Sequence, residues 1–130
     1  VFIVHFTIES FTQIVRMFML RPMIKIRLVD LSLDYYEKAL EDDSENPTAL
    51  NGLGYVLACE GEDLTKALSC CKKALDILPE SAACLDSLGW VYYKMGLYSE
   101  SKKFLNRAMK ADSSNPIIVE HLQEVKKAEE

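Results

Sequence analysis

The sequence predicts an all-α fold, a stack of antiparallel helical hairpins with two full repeats and flanking helices. The first observation is self-similarity. Leu53-Gly54-Tyr55-Val56 returns as Leu88-Gly89-Trp90-Val91, 35 residues on, and Gly61 returns as Gly96 at the same offset. From Ala67 the offset is 34: Ala67 to Ser101, Ala74 to Ala108, Pro79 to Ser113. One residue inserted within 62–65 of the first copy accounts for the difference. Tyr36, Ala39 and Leu40 likewise precede Cys71, Ala74 and Leu75 by 35, and Asn46-Pro47 and Asn115-Pro116 lie 69 apart. A period of this size marks a repeat array, in which each unit buries its apolar face against its neighbours. The second observation is helical spacing inside each copy, as in Leu50, Leu53 and Leu57. The third is punctuation at fixed places by Asn-Pro, Gly and Pro, which start and stop helices.

Residues 1–29 stand apart from the repeat. Val4, Ile8, Phe11, Val15 and Phe18 trace a helical stripe against His5, Glu9, Thr12 and Arg16, which predicts a helix over about 2–20. Proline inside a helix removes a hydrogen bond and clashes with the preceding turn, so the helix is expected to end before Arg21-Pro22. Ile24, Ile26 and Leu28 alternate with Lys25 and Arg27, which leaves a short strand open as well. A membrane span is disfavoured because Glu9, Gln13 and Arg16 interrupt the apolar run. A targeting or membrane-surface segment and an irregular cap are the other readings. The chain opens with Val rather than Met, as a fragment of a longer repeat array would.

Residues 30–46 read as the second helix of a degenerate repeat with no recognisable first helix. Its apolar face (Leu33, Tyr36, Leu40) needs a cover, and the apolar side chains of residues 1–29 are expected to supply it, within the chain or from a second copy. Residues 47–81 form the first full repeat: Asn46 caps a helix with Pro47 at its first position, Gly61 ends it, and Asp63 caps the next, which stops at Pro79. Residues 82–115 repeat the scheme with Ser81 as cap, a stop at Gly96 and a second helix from Ser99. Residues 116–130 read as a C-terminal capping helix, with Val119, Leu122 and Val125 on one face and Glu120, Gln123, Glu124 and Lys127 on the other.

Charge narrows the partner. The chain carries a net −5. Residues 1–29 hold four basic side chains against one acidic, +3, and the remainder eleven against nineteen, −8. An acidic body repels phosphate backbones, so no nucleic-acid partner is expected, and a partner with a basic face is favoured. The cysteines, Cys59, Cys70, Cys71 and Cys84, fit no zinc spacing and read as small buried thiols in a reducing compartment, so no metal is expected. A thiol-based metal or redox sensor is the rival reading. No catalytic residue stands out: Gly52-x-Gly54 falls within a helix rather than after a strand. His121 beside Glu120 and Glu124 reads as a surface histidine. No cofactor is expected.

Leu50, Leu53-Gly54 and Leu57 followed by Ala67, Cys71, Ala74 and Pro79 resemble the tetratricopeptide-repeat (TPR) family, whose pattern runs W-x-x-L-G-x-x-Y…A-x-x-x-F…P. The second copy offers Leu85, Leu88-Gly89 and Tyr92, then Ser101, Leu105 and Ala108, with Ser113 at the proline position. Leu replaces Trp twice, Cys71 replaces the large aromatic, and Ser101 replaces Ala. The look of residues 49–55 with 85–93 is closest to the paired C-terminal repeats of bacterial TPR proteins. The resemblance implies a right-handed superhelical stack. It also implies a non-enzymatic scaffold that binds a protein or peptide in a concave groove lined by the first helices. Carried over position by position, that groove holds Asn51, Tyr55, Cys59, Asp86, Trp90, Tyr93 and Lys94, with Thr48, Ala58 and Ala83 beside them and Glu120 and Glu124 added by the last helix. Members that grip a C-terminal carboxylate need several Lys, Arg and Asn groups here; this groove has Lys94 and Asn51, with Asp86 opposing. The alternative is a structural oligomerisation or membrane-tethering module acting through residues 1–29, with homo-oligomers as its product. A cytoplasmic setting is expected, an exported or membrane-associated one in a bacterium being the alternative.

Overall fold

The computed structural model describes the backbone of residues 2–130 and the side chains of residues 21–130 together with Gln13 and Phe18. The described residues form six helices: α1 (Phe2–Asp42), α2 (Pro47–Glu60), α3 (Leu64–Ile77), α4 (Ala82–Lys94), α5 (Tyr98–Ala111) and α6 (Pro116–Glu129). They fall into two compact units, Val1–Ser32 and Leu33–Glu130.

The first unit corrects two expectations. α1 does not stop before Arg21 but runs through Pro22, and the stretch at Ile24–Leu28 is helical rather than extended. A single proline removes one backbone hydrogen bond, while the turns on either side keep theirs, so a long helix continues past it. Of the apolar stripe drawn over residues 4–18, Val4, Ile8, Phe11 and Val15 lie outside the described side chains. Met23, Ile24, Ile26, Leu28 and Leu31 are exposed. Among the described residues no helix is long and apolar enough to cross a membrane.

In the second unit the helix ends follow the sequence signals. Asn46 Oδ1 accepts from the Ala49 amide and Ser81 Oγ from the Cys84 amide, each satisfying one of the donors a helix start leaves free. Asp63 caps α3 the same way, through Lys66 N, at a left-handed backbone (φ 39°). Gly61 closes α2 at φ 67°, where its own N–H and that of Glu62 reach back to Ala58 and Leu57. The predicted start of α5 shifts: the helix begins at Tyr98 after Leu97, with no side-chain cap.

Packing rests on small residues at the crossings. Gly89 of α4 lies against α5 so closely that a Cβ there would stand 2.7 Å from Leu105 Cγ and 3.2 Å from the Ser101 carbonyl. Gly54 lies against Ala67 and Cys71 in the same way. Around these contacts Leu53, Leu88 and Leu105 are almost wholly buried, each contributing ~1.5–3 kcal/mol relative to exposure. Leu33, Tyr36 and Leu40 pack on the core built by α2, α3 and α4. The full repeat that follows packs on this face, with the Tyr36 ring filling the space left by Gly52; most of the residues 1–29 expected to cover it lie outside the described side chains.

Candidate functional site

The helices α2, α4 and α6 bring several of the expected residues together in the second unit. Asn51, Tyr55 and Asp86 line an open cavity of about 280 Å³, together with Tyr36, Ser87, Ile117 and others. Asn51 and Asp86 stand one repeat apart, so the stacking of α2 on α4 sets them side by side on the cavity wall.

Further along α4, Trp90, Tyr93 and Lys94 form a second cluster. The Trp90 ring stacks on His121 with centroids 4.0 Å apart and planes 18° apart. The Tyr93 ring lies tilted by 32° with its centroid 4.6 Å from that of Trp90, and Lys94 Nζ sits 5.6 Å from the Trp90 ring centroid, within cation–π range. Trp90 and Tyr93 are half-buried and Lys94 is exposed. Cys59 is exposed at the end of α2, which corrects its reading as a buried spacer; Cys70, Cys71 and Cys84 are buried. Ala58, expected beside the groove, is fully buried instead, because it turns into the core.

His121 is the residue that sequence reasoning misplaced. It is buried, not on the surface, and its Nδ1 stands 2.8 Å from Asp86 Oδ1. An ionised carboxylate only accepts, so Nδ1 carries the proton and donates. The local neighbours Glu120 and Glu124 concealed this role. The signal that could have found it was the period itself: His121 follows Asp86 by 35 residues, the interval that sets adjacent first helices side by side.

The charges nearest the Tyr55 hydroxyl are anionic. Burial raises the Tyr55 hydroxyl above its ordinary pKa, and the hydrogen-bonded Cys59 thiol, Asp86 and Glu120 push it the same way. Two polar atoms are buried without a partner among the described residues, Asn51 Oδ1 and Trp90 Nε1. Leaving such groups unsatisfied costs ~1–3 kcal/mol each. Among the described residues no three His, Cys, Asp or Glu side chains come together as a metal site would need.

With two stacked hairpins, glycines at the crossings and a shared helix register in place, comparison with known proteins decides the family. The tetratricopeptide-repeat pattern matches residues 45–114, more than half of the chain. The chain belongs to the tetratricopeptide-repeat family. A TPR repeat-containing protein of Pseudomonas aeruginosa is 34% identical over 67 residues, 52% of this TPR chain and 11% of that protein. The BBSome complex member BBS4 of Bos taurus is 29% identical over 92 residues, 71% of this chain and 17% of that protein. The chain thus spans less than a fifth of the length of these curated relatives. Among solved structures, the first TPR of Spaghetti (RPAP3), bound to the HSP90 peptide SRMEEVD, superposes with a TM-score of 0.68 at 19% identity, covering 81% of this chain and 82% of that one. The all-α stack of TPR hairpins expected from the sequence is the fold found.

Proposed function

We propose that this TPR chain is a non-enzymatic scaffold that binds a protein or peptide segment along the face formed by α2, α4 and α6. The observation that carries the reading is the set of half-buried aromatic side chains, Tyr55, Trp90 and Tyr93, with Lys94 over the Trp90 ring. An extended or helical partner offers apolar side chains to these rings and backbone donors and acceptors to the polar groups beside them. A structural neighbour holds a short peptide on the same fold, which supports the choice of a peptide. Cys59 and Lys94 are exposed and form the outer end of this face. Residues 30–46 are read as the second helix of a degenerate preceding repeat, of which α1 supplies the part up to Asp42. Four free thiols support a reducing setting such as the cytoplasm.

A second reading rests on α1. Met23, Ile24, Ile26, Leu28 and Leu31 are exposed beside Arg21, Lys25 and Arg27, the composition of a contact for a second copy or an anionic surface. Capture from a peptide array, read for the whole chain and for Trp90→Ala, tests the first reading. Peptides retained by the wild type are expected to bind the variant about tenfold more weakly, as loss of an aromatic anchor does. Equal retention by both, or no peptide retained by either, would sink it. Light scattering of the whole chain against Leu33–Glu130 tests the second, which requires the longer chain to be the larger assembly.

A further inference from the structure

The cavity between α2, α4 and the start of α6 is lined by one carboxylate, Asp86, and by the neutral hydroxyl and amide groups of Tyr36, Asn51, Tyr55, Ser87 and Asn115. Asp86 spends Oδ1 on His121 and keeps its other oxygen, and the Asn51 side chain lines the same wall with its Oδ1 buried and without a donor. No residue lining the cavity carries a positive charge; Lys94, the cation of this face, sits over Trp90 outside it. Tyr36 and Tyr55 supply aromatic walls. Residues 30–130 carry a net −8, so the long-range field has the same sign as the pocket.

Taking the groove reading above as its basis, we infer that this cavity receives a cationic side chain of the partner, an arginine in preference to a lysine. A guanidinium brings several N–H donors in one plane and stacks on tyrosine, whereas an ammonium is a compact, more strongly hydrated charge. Entering between the two tyrosines, it donates to the open Asp86 oxygen. The Asn51 amide, turning about its broad terminal torsion, meets it with the orphaned oxygen. A carboxylate-ended peptide finds no cationic side chain lining this cavity and meets the Asp86 charge there. The partner segment is therefore basic, opposite in charge to an acidic tail such as SRMEEVD.

The test is a nuclear magnetic resonance titration of the whole ¹⁵N-labelled chain with three capped amino acids: acetyl-arginine amide, acetyl-citrulline amide and acetyl-glutamate amide. Citrulline keeps the shape of arginine without its charge. Saturable shifts at the amides of Asn51, Tyr55, Asp86 and Ser87 are expected for arginine, with citrulline weaker by about tenfold or more. Asn51→Leu and Asp86→Asn are each expected to weaken arginine by a similar factor. Asp86→Asn disturbs the contact with His121, so Asn51→Leu, which removes no side-chain hydrogen bond, carries the test if the first variant unfolds. Citrulline or glutamate binding as well as arginine would overturn the inference, as would an Asn51→Leu chain that binds arginine like the wild type. Absence of arginine shifts alongside Trp90-dependent peptide capture would sink the cation pocket alone. Loss of that capture with the arginine shifts intact would sink the peptide groove and leave a free-standing cation site.

Discussion

His121 on α6 donates from Nδ1 to Asp86 Oδ1 on α4 at 2.8 Å, inside the protein and across one repeat length. The bond locks the capping helix to the helix beside it, and the imidazole face stacked on Trp90 fixes that ring as well.

His121→Leu is expected to lower unfolding stability by about 1.5–3 kcal/mol, because it leaves a buried carboxylate without its donor. Asp86→Leu combined with His121→Leu is expected to cost less than the sum of the single changes. Urea denaturation of the four proteins measures the coupling. A coupling near zero would mean that the contact does not hold α6 in place.

Gly89→Leu is expected to destabilise by about 1–3 kcal/mol or more, since the side chain meets Leu105 and the Ser101 carbonyl at once. Helix propensity by itself favours the change, so the sign separates the two effects. Ser101 Oγ donates to the Gly89 carbonyl at 2.7 Å in the same crossing. Ser101→Ala restores the usual family residue and is expected to cost no more than ~1 kcal/mol, because that carbonyl sits within the helix ladder. Thermal melts rank the three proteins, and a Gly89→Leu chain as stable as the wild type would contradict this packing.

The cysteines divide by burial. Cys59 is expected to react with a thiol reagent in the folded chain well before Cys70, Cys71 and Cys84, and denaturation is expected to release four free thiols in all. Burial, with smaller contributions from Cys70 and Cys84, pushes the Cys71 thiol from 9.0 up to about 12. Its folded pKa is raised, so the native state keeps a proton that the unfolded chain gives up above 9.0. The stabilisation is complete below that pH and is lost as pH climbs towards 12, at roughly 1.4 kcal/mol per pH unit. Cys70 shifts the same way, also through burial. Urea unfolding at several alkaline pH values checks the sign: Cys71→Ala is expected to lose stability less steeply than the wild type.

Leu33–Glu130 is expected to fold on its own, with helix content and cooperative unfolding retained, because Leu33, Tyr36 and Leu40 are packed by α2 and α3 within that unit. Circular dichroism and a thermal melt of the truncated chain check it. Aggregation on removal of residues 1–32 would show that the first unit shields an apolar face after all.

Much of the second unit was legible because its signals are local. Asn46, Ser81 and Asp63 cap through their own side chains three residues on, and Gly61 takes a left-handed backbone that other residues rarely adopt. Such choices need no distant partner. The start of α5 was not legible in that way, since Leu97 offers no capping side chain and the turn at Gly96 alone positions the helix.

The sequence by itself determined the period, the hairpin repeat and the places where glycine lets helices touch, since each follows from spacing along one chain. Tertiary structure decided what spacing cannot express. A histidine flanked by glutamates has the local look of surface, and only the stacking of α6 on α4 aims it inward at Asp86. Likewise, a proline's cost is local while helix continuation depends on the turns around it, which is why α1 passes through Pro22. The orphaned oxygen of Asn51 is a property of its surroundings: a polar atom becomes costly only when the fold removes water and supplies no donor.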